Sequence, residues 1–315
     1  MTKTKKKIRT AVIDVGTLKS KFEVREFSSS LDESKLLCRE KELTVLGRDL
    51  DKTNGIIVRK AIENTIEALV KFNKIMTKLK VDKYKAVTTE AIRKAKNSKE
   101  VLAEIKKRTG VFLEILDHND EAEIYFYSIS KDFPGKTIAV SDIGGGSVQV
   151  VIGKDKSIYE TYLFKTGTYF MQENLSKTHH PTHDELVGAK AYVKKEMSSL
   201  EKSKYEPKML VYGSTNIIDF LKAMKVKLER RSGSVGHPYR TNIKKLYPIF
   251  EAIASLSYED RMPMFPAEPY YMWSAENALL NVFQICEFLH ITTIIPSNNN
   301  ISSGILYELA ESIKN

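Results

Sequence analysis

Short runs of apolar residues along the chain predict two successive groups of β-strands. Ile8 to Val15 and Ile138 to Val140 are largely apolar, which is typical of strands buried inside a sheet. Each is followed by a second segment with strand character, at Lys21 to Phe27 and at Val148 to Ile152. The other strands predicted in this way are 36–46, 84–88, 111–116, 157–164, 209–212 and 292–296.

Between these strands, apolar residues recur at the spacing of helices. The longest such segment, 56–81, places apolar residues on one face and lysines on the other. Gly110 is a typical end for a helix that begins at Ser98, and Thr182 with Glu185 forms a capping box for a helix through Leu200. The remaining predictions are helices at 89–97, 119–128, 168 onward, 270–289 and 302–313, and a loop at 230–241.

One combination of elements occurs twice: a strand, an aspartate, a glycine turn and a return strand. The aspartates are Asp14 and Asp142. This duplication predicts an α/β protein with two similar lobes that face each other across a phosphate-binding cleft. The clearest break between them is Phe133-Pro134-Gly135. We therefore predict lobes at 1–133 and 134–301, with the C-terminal helix, about 302–315, packing back on the first lobe.

The charge of the chain narrows the choice of partner. A formal net charge of +10 suits a polyanion such as nucleic acid, polyphosphate or a nucleotide. No RNA-recognition, zinc-finger or basic-zipper signature is present, so we expect no sequence-specific nucleic-acid binding. No apolar run reaches the ~18 residues of a membrane span, and we expect no membrane association. The two cysteines, Cys38 and Cys286, lie far apart and favour a reducing cytoplasm.

Candidate chemistry is concentrated in the turn Gly144-Gly145-Gly146-Ser147. Glycines let the backbone approach a ligand closely and turn several N–H groups toward one point, which suits phosphate. Asp142, at the end of the preceding strand, can hold the cation that phosphate needs. An ordinary β-hairpin turn is the alternative interpretation of the same residues. Gly213-Ser214 forms a further small-residue turn at a strand end.

Several motifs follow one another in an order that is more specific than any one of them. They are AVIDVGTLKSKFEV, LGRDLDKTNGIIVRKAIENTIEAL, TTEAIRKAKN, ILDHNDEAEIYF, SDIGGGSVQVVIG, YEDRMPMFPAEP and SNNNISSGILYEL. In this order the chain resembles, over nearly its whole length, the exopolyphosphatase and guanosine pentaphosphate phosphohydrolase (Ppx/GppA) family. That family belongs to the actin and sugar-kinase superfold. The resemblance implies two actin-like (ribonuclease H-like) lobes without the C-terminal helical domain that some relatives add.

The resemblance also implies roles for individual residues. Glu121 matches the carboxylate that orients or deprotonates the attacking water, and Arg93 matches an arginine that grips phosphate, with a salt bridge as its alternative interpretation. Asp142 is implied in catalysis as the ligand of Mg²⁺ or Mn²⁺, and Asp14 and Gln149 complete the implied metal ligands. The implied phosphate-binding residues are Thr17, Lys19, Arg93, Gly144, Gly145, Gly146, Ser147, Gly213 and Ser214.

The chain departs from the family pattern at four places. Thr17-Leu18-Lys19 replaces serine or threonine, asparagine and serine in the first loop, and His118 replaces a glycine. Val148-Gln149 replaces threonine and glutamate, and Ser302-Ser303 replaces arginine and glutamate. The change at Gln149 removes a carboxylate expected near the metal.

We predict an enzyme that releases terminal phosphate from inorganic polyphosphate with Mg²⁺ or Mn²⁺. Hydrolysis of guanosine pentaphosphate or another nucleotide is the alternative within enzymes. A non-hydrolytic sensor of polyphosphate or nucleotide is the alternative in a different class. The presence of Glu121 and Asp142 favours an enzyme, while Gln149 and Leu18 favour the sensor. A sugar or acid kinase is a weaker alternative, and a homodimer is the assembly that we consider for this chain.

Overall fold

The computed structural model describes residues 7–28, 34–50, 52–175, 181–214, 216–232 and 236–314. The chain divides into two compact units, Met1–Ile124 with Ile301–Asn315 (the first unit) and Tyr125–Asn300 (the second unit). The division falls between Ile124 and Tyr125, inside a helix, and thus earlier than the predicted boundary after residue 133. The reason is that Tyr125 and Phe126 on that helix pack against glycines of the second unit's sheet.

Strands and helices account for most of the described chain. The strands are β1 Ile8–Val15, β2 Ser20–Phe27, β3 Ser34–Glu42, β4 Lys83–Thr88, β5 Glu114–Ile115, β6 Thr137–Ile143, β7 Val148–Lys154, β8 Ser157–Phe164, β9 Leu210–Gly213, β10 Glu229–Arg230, β11 Tyr239–Asn242 and β12 Thr293–Ser297. The helices are α1 Arg59–Leu79, α2 Glu90–Lys94, α3 Ser98–Thr109, α4 His118–Ser130, α5 Thr168–Asn174, α6 His183–Glu196, α7 Ile217–Ala223, α8 Tyr247–Ala254, α9 Tyr258–Arg261, α10 Ala275–Phe288 and α11 Ile301–Lys314.

The first unit is built on a sheet with the strand order β3-β2-β1-β4-β5. Strands β1, β2 and β3 form an antiparallel meander, whereas β4 runs parallel to β1 and β5 runs parallel to β4. Two predicted strands are shorter than expected. The strand predicted at 36–46 is observed as Ser34–Glu42 and so ends four residues earlier than predicted. The strand predicted at 111–116 is observed only as the two residues of β5, because this edge strand pairs only with the last two residues of β4.

Helices α1 and α11 belong to the first unit and pack on its sheet. Helix α1 buries its predicted apolar face, and the ring of Phe72 stacks on Phe22 of β2 with centroids 4.8 Å apart. Helix α3 ends at Gly110, which has φ +72° as the predicted left-handed cap requires. Helix α11 contacts β1, and the Thr10 hydroxyl donates to the Leu306 carbonyl at 3.1 Å.

The second unit repeats this topology and extends it. Its sheet has the order β10-β11-β12-β9-β6-β7-β8, so β8-β7-β6-β9-β12 corresponds strand by strand to β3-β2-β1-β4-β5. The strand directions also agree, with an antiparallel meander followed by two parallel strands. The predicted α/β class and the duplication are therefore confirmed. The prediction of a loop at 230–241 was wrong in part, because the first residue of this segment belongs to β10 and its last three residues belong to β11.

The predicted capping box at Thr182 is confirmed. Its side chain accepts from the Glu185 N–H at 3.2 Å, and the Glu185 carboxylate accepts from the Thr182 N–H at 2.8 Å. Helix α6 nevertheless ends at Glu196, before the predicted Leu200. No helix in the part of the chain that the structure describes has both the length and the apolar character needed to cross a membrane.

Candidate phosphate-binding turns and their surroundings

The two hairpin turns that follow β1 and β6 have the same internal construction. In the first, the Gly16 N–H donates to the Lys19 carbonyl at 3.0 Å; in the second, the Gly144 N–H donates to the Ser147 carbonyl at 3.0 Å. Each turn thus closes between its first and fourth residues. The predicted correspondence between the two glycine turns therefore extends to their hydrogen bonds.

The start of α5 anchors the second turn through hydrogen bonds to the carbonyl groups of the turn. The Gly144 carbonyl accepts from the Thr168 N–H at 2.9 Å, and the Gly145 carbonyl accepts from the N–H groups of Tyr169 and Phe170 at 2.9 and 3.0 Å. These contacts also satisfy N–H groups that the first turn of any helix leaves without an intrahelical partner. The carbonyl side of the turn is therefore held by the protein itself.

Gly167, directly before α5, makes this anchoring sterically possible. A Cβ built on Gly167 would lie 2.3 Å from the carbonyl carbon of Gly146 and 2.4 Å from the carbonyl oxygen of Gly145. Any other residue there would push the turn away. The sequence prediction missed Gly167, because nothing local indicates that a segment twenty residues downstream will press on the turn.

The opposite side of the second turn presents hydrogen-bond donors. Among the described residues, no acceptor is found for the backbone N–H groups of Gly145, Gly146 and Ser147. Successive N–H groups of this kind form a concave site for an anion. The arrangement is more than a plain hairpin turn, and contact of these residues with phosphate stays a prediction.

The first turn is anchored by a different segment in the same way. The carbonyls of Thr17 and Leu18 accept from the N–H groups of Gly47 and Val45, at 2.9 and 2.8 Å. A Cβ on Gly47 would lie 2.5 Å from the Cγ2 methyl of Thr17. Gly47 therefore supports the first turn as Gly167 supports the second, and sequence reasoning missed it for the same reason.

Asp142 and Gln149 lie directly opposite each other on β6 and β7. Opposed residues of an antiparallel pair place their side chains on the same face of the sheet. Gln149 is buried, with 6% of its surface exposed, and Asp142 is half-buried. The structure thus brings together these two predicted metal ligands of the second unit beside the Gly144 turn.

This pair fits a hard divalent cation only as part of a ligand set. Among the described residues, no group of three or more His, Cys, Asp or Glu side chains could hold a metal. A carboxylate and an amide oxygen are nevertheless the ligand types of Mg²⁺, which takes one or two carboxylates and completes its shell with water and substrate phosphates. The third predicted ligand, Asp14, belongs to the first unit, where its carboxylate lies 3.5 Å from Lys21 Nζ.

Gly213 and Ser214, predicted to bind phosphate, are engaged by the protein. A Cβ on Gly213 would lie 1.4 Å from the hydroxyl oxygen of Tyr125, and that hydroxyl donates to the Ser141 carbonyl at 3.0 Å. Burial, together with the negative charge of Asp142, raises the pKa of Tyr125 well above its usual value. The Ser214 N–H donates to the Ser297 carbonyl at 3.1 Å. A contact of either residue with phosphate stays a prediction.

In the first unit, Arg93 and Glu121 form an ion pair on neighbouring segments. The same guanidinium donates to the Leu116 carbonyl, lies 3.3 Å from Glu90 Oε2 and lies 3.1 Å from His118 Nδ1. The salt bridge that was the alternative interpretation of Arg93 is therefore present. The carboxylates of Glu90 and Glu121 offset the charge of Arg93. Contact between Arg93 and phosphate stays a prediction.

The electrostatics of this cluster follow from its partial burial. Burial alone would raise the pKa of the Glu90 carboxyl, but the hydrogen bonds and charges of Lys94 and Arg93 outweigh it and hold that pKa below its usual value. Burial and the Arg93 charge lower the pKa of His118, which favours the neutral imidazole. His118, which stands where the resemblance implies a glycine, is thus a neutral partner of Arg93.

Comparison with known proteins identifies the family of this chain and agrees with its fold. The model of the Ppx/GppA phosphatase family matches residues 27–313. The chain is 27% identical over 203 residues to the bifunctional 3-dehydroquinate synthase/phosphatase of Fusobacterium nucleatum, covering 61% of this chain and 30% of that protein's length. It is 23% identical over 271 residues to exopolyphosphatase 2 of Mycobacterium tuberculosis, and the match covers 83% of this chain and 84% of that protein's length. A crystal structure of the Aquifex aeolicus Ppx/GppA family member superposes with a TM-score of 0.80 at 22% sequence identity. The superposition covers 98% of this chain and 100% of that one.

Proposed function

We propose, since the chain belongs to the Ppx/GppA phosphatase family, that it is a phosphohydrolase which releases the terminal phosphate of inorganic polyphosphate. The observation that carries this proposal is the turn from Gly144 to Ser147. Its carbonyls are bound to α5, and no acceptor among the described residues takes its N–H groups of residues 145–147. Such a turn suits a phosphoryl group, and the net charge of +10 suits a long polyanion.

In this proposal, each of the implied residues has one task in the reaction. The N–H groups of the second turn bind the phosphoryl oxygens and stabilise the charge that develops there. Asp142 and Gln149 would hold Mg²⁺ or Mn²⁺, which supplies neutralisation of the phosphate charge. Glu121 orients or deprotonates the attacking water, a task typically worth about 10²–10⁴ in rate. Arg93 holds the Glu121 carboxylate in position through their ion pair.

A second candidate function is a sensor that binds polyphosphate or nucleotide without hydrolysing it. The observation that favours it is Gln149, whose buried amide stands opposite Asp142 where the family resemblance implies a carboxylate. Guanosine pentaphosphate is the alternative substrate if the chain is an enzyme. An enzyme and a sensor differ in whether orthophosphate is released, and the two enzyme alternatives differ in the substrate that releases it.

The test is release of orthophosphate from long polyphosphate, guanosine pentaphosphate and ATP, measured side by side with Mg²⁺ and with Mn²⁺. We expect the fastest release from polyphosphate, and we expect Glu121→Gln to abolish most of it. Release mainly from guanosine pentaphosphate would move the assignment to that nucleotide. Tight binding of polyphosphate without release of phosphate from any of the three would replace the enzyme with the sensor.

A further inference from the structure

Helix α10 is buried on almost every side in the second unit, yet several of its side chains are polar. Asn277 and Asn281, one helical turn apart, have none of their surface exposed. Buried polar groups reduce stability unless they form hydrogen bonds. Both asparagines direct their amide N–H groups to the segment at the start of α5, the helix that anchors the second turn.

Asn281 binds the backbone directly before Gly167. Its Nδ2 donates to the Thr166 carbonyl at 2.9 Å and to the Asn277 carbonyl at 2.8 Å. Two carbonyl acceptors fix the orientation of the amide, because only its NH₂ group can donate to both. Thr166 is fully buried, and among the described residues Asn281 is the donor found for its carbonyl. The amide therefore ties α10 to the residue before Gly167.

Asn277 holds the same segment at its other end. Its Nδ2 donates to the side-chain oxygen Oε1 of Gln172, which belongs to α5, at 3.3 Å. Thr166 and Gln172 therefore lie on either side of the residues that support the second turn, because the N–H groups of residues 168–170 donate to carbonyls of that turn. Helix α10 thus fixes both ends of the supporting segment.

The supporting segment packs against the second turn without spare room. A Cβ on Gly167 would lie 2.3–2.4 Å from backbone atoms of the turn, so even a methyl group does not fit between them. Groups packed this closely pass a displacement on to their neighbours. A shift of the Thr166 backbone would therefore move Gly167, and with it the N–H groups of residues 145–147.

We infer that Asn281 is a positioning residue for the second turn, acting through the backbone of residues 166–167. It holds the N–H groups of residues 145–147 in the direction that binds a phosphoryl group. Asn281 itself is buried and would not contact the substrate. The ligand, a phosphoryl group of polyphosphate, is taken from the proposed function, on which the inference rests. Preorganised donors lower a reaction barrier only while their direction is kept, and a misplacement of about 1 Å can cost about 100-fold in rate.

The first measurement is turnover of long polyphosphate by Asn281→Leu, which removes the donor and keeps nearly the size of the side chain. Gln284→Leu is the matched control, because Gln284 is buried on the same helix and its Nε2 has no hydrogen-bond partner among the described residues. Per folded protein, we expect kcat of Asn281→Leu to fall about tenfold or more while KM changes less than about threefold. Gln284→Leu should stay within about twofold of the wild type in both constants.

The second measurement needs no turnover. Protein labelled with ¹⁵N-glycine contains 15 glycines, and the NMR signals of Gly145 and Gly146 should move when inorganic phosphate is added to the wild type. In Asn281→Leu these two signals should already be displaced and should respond less, whereas in Gln284→Leu they should match the wild type. Asn281→Asp is the second variant if Asn281→Leu does not fold, because its ionised carboxylate has the same size but cannot donate.

Each outcome of these measurements supports or overturns the positioning role. Signals of Gly145 and Gly146 that are unchanged in Asn281→Leu would overturn it, whatever the kcat of that variant. Equal losses in Asn281→Leu and Gln284→Leu would also overturn it, because the effect would then belong to any buried polar residue of α10. Failure of the proposed function looks different: the wild type would release no phosphate from polyphosphate, while the glycine signals would still respond to inorganic phosphate and to Asn281→Leu. Glycine signals that ignore inorganic phosphate in the wild type would overturn both.

Discussion

The hydroxyl of Tyr125 occupies the place where a side chain on Gly213 would begin. A Cβ on Gly213 would lie 1.4 Å from that oxygen, which donates its proton to the Ser141 carbonyl at 3.0 Å. Gly213 is also the register partner of Asp142 in the parallel β6–β9 pair. The glycine therefore admits a tyrosine that supports the strand end carrying Asp142.

Gly213→Ala should destabilise the second unit, because its methyl group must displace either Tyr125 or the end of β9. Overpacking of this kind costs about 1–3 kcal/mol of unfolding free energy, measured by urea denaturation. Adding Tyr125→Ala should cost less than the sum of the two single losses, since each change relieves the other. Gly188→Ala is the control: nothing lies within 4 Å of a Cβ there, and α6 should gain about 0.5–1 kcal/mol. Strict additivity at 213 and 125 would contradict the contact.

Gly167→Ala should impair phosphate handling more than it impairs folding. Its Cβ would meet the backbone of Gly145, Gly146 and Ser147 at 2.3–2.4 Å, so the turn must move and its N–H groups lose their common direction. We expect polyphosphate turnover to fall about tenfold or more while the midpoint of thermal unfolding shifts by a few degrees. Wild-type turnover in a folded Gly167→Ala protein would show that the turn does not bind the reacting phosphate.

Glu121→Gln should lower turnover by about 10²–10⁴ and leave polyphosphate affinity nearly unchanged, because the amide can accept a hydrogen bond from water but cannot take its proton. Glu123→Gln on the same helix is the matched control, since Glu123 is exposed. Phosphate release and equilibrium binding are measured on each variant. A Glu121→Gln protein with most of the wild-type turnover would require that another group act on the water.

Gln149→Glu should raise the affinity for Mg²⁺ measured by calorimetry without substrate. The substitution places a second carboxylate opposite Asp142, and Mg²⁺ prefers charged oxygen ligands. The wild type should bind Mg²⁺ weakly alone and more tightly with polyphosphate, whose oxygens complete the shell. Asp142→Asn in the Gln149→Glu background should reverse the gain. Tight binding of Mg²⁺ by the wild type alone would refute this assignment.

Affinity for polyphosphate should fall as salt rises, and it should fall more for long chains than for nucleotides. A cationic protein releases counterions when it binds a polyanion, and we carry over only the sign of that effect from nucleic acids. The measurement is a binding titration at several KCl concentrations for long polyphosphate and for ATP. If long-chain affinity does not change with salt, the charge of +10 serves solubility instead of binding.

The sequence by itself determined the features that depend on near neighbours. Strand β1 has the predicted ends, Ile8 and Val15, and the capping box at Thr182 and the end of α3 at Gly110 were both predicted correctly. The two hairpins with aspartates at 14 and 142 were also predicted from the sequence, because apolar runs and glycine turns are encoded within about ten residues. These local signals were sufficient for the α/β class and its duplication.

Only the tertiary structure decided which distant residues meet. Arg93 pairs with Glu121 across 28 residues, and Gly167 presses on a turn that no local pattern connects to it. Burial, followed by the positive charges of Lys19 and Lys21, likewise lowers the pKa of Lys41, and both causes arise from the packing of β3 beside β2. Hydrophobic periodicity specifies which face of an element is buried, but strand register and the close approach of segments arise only when those faces pack together.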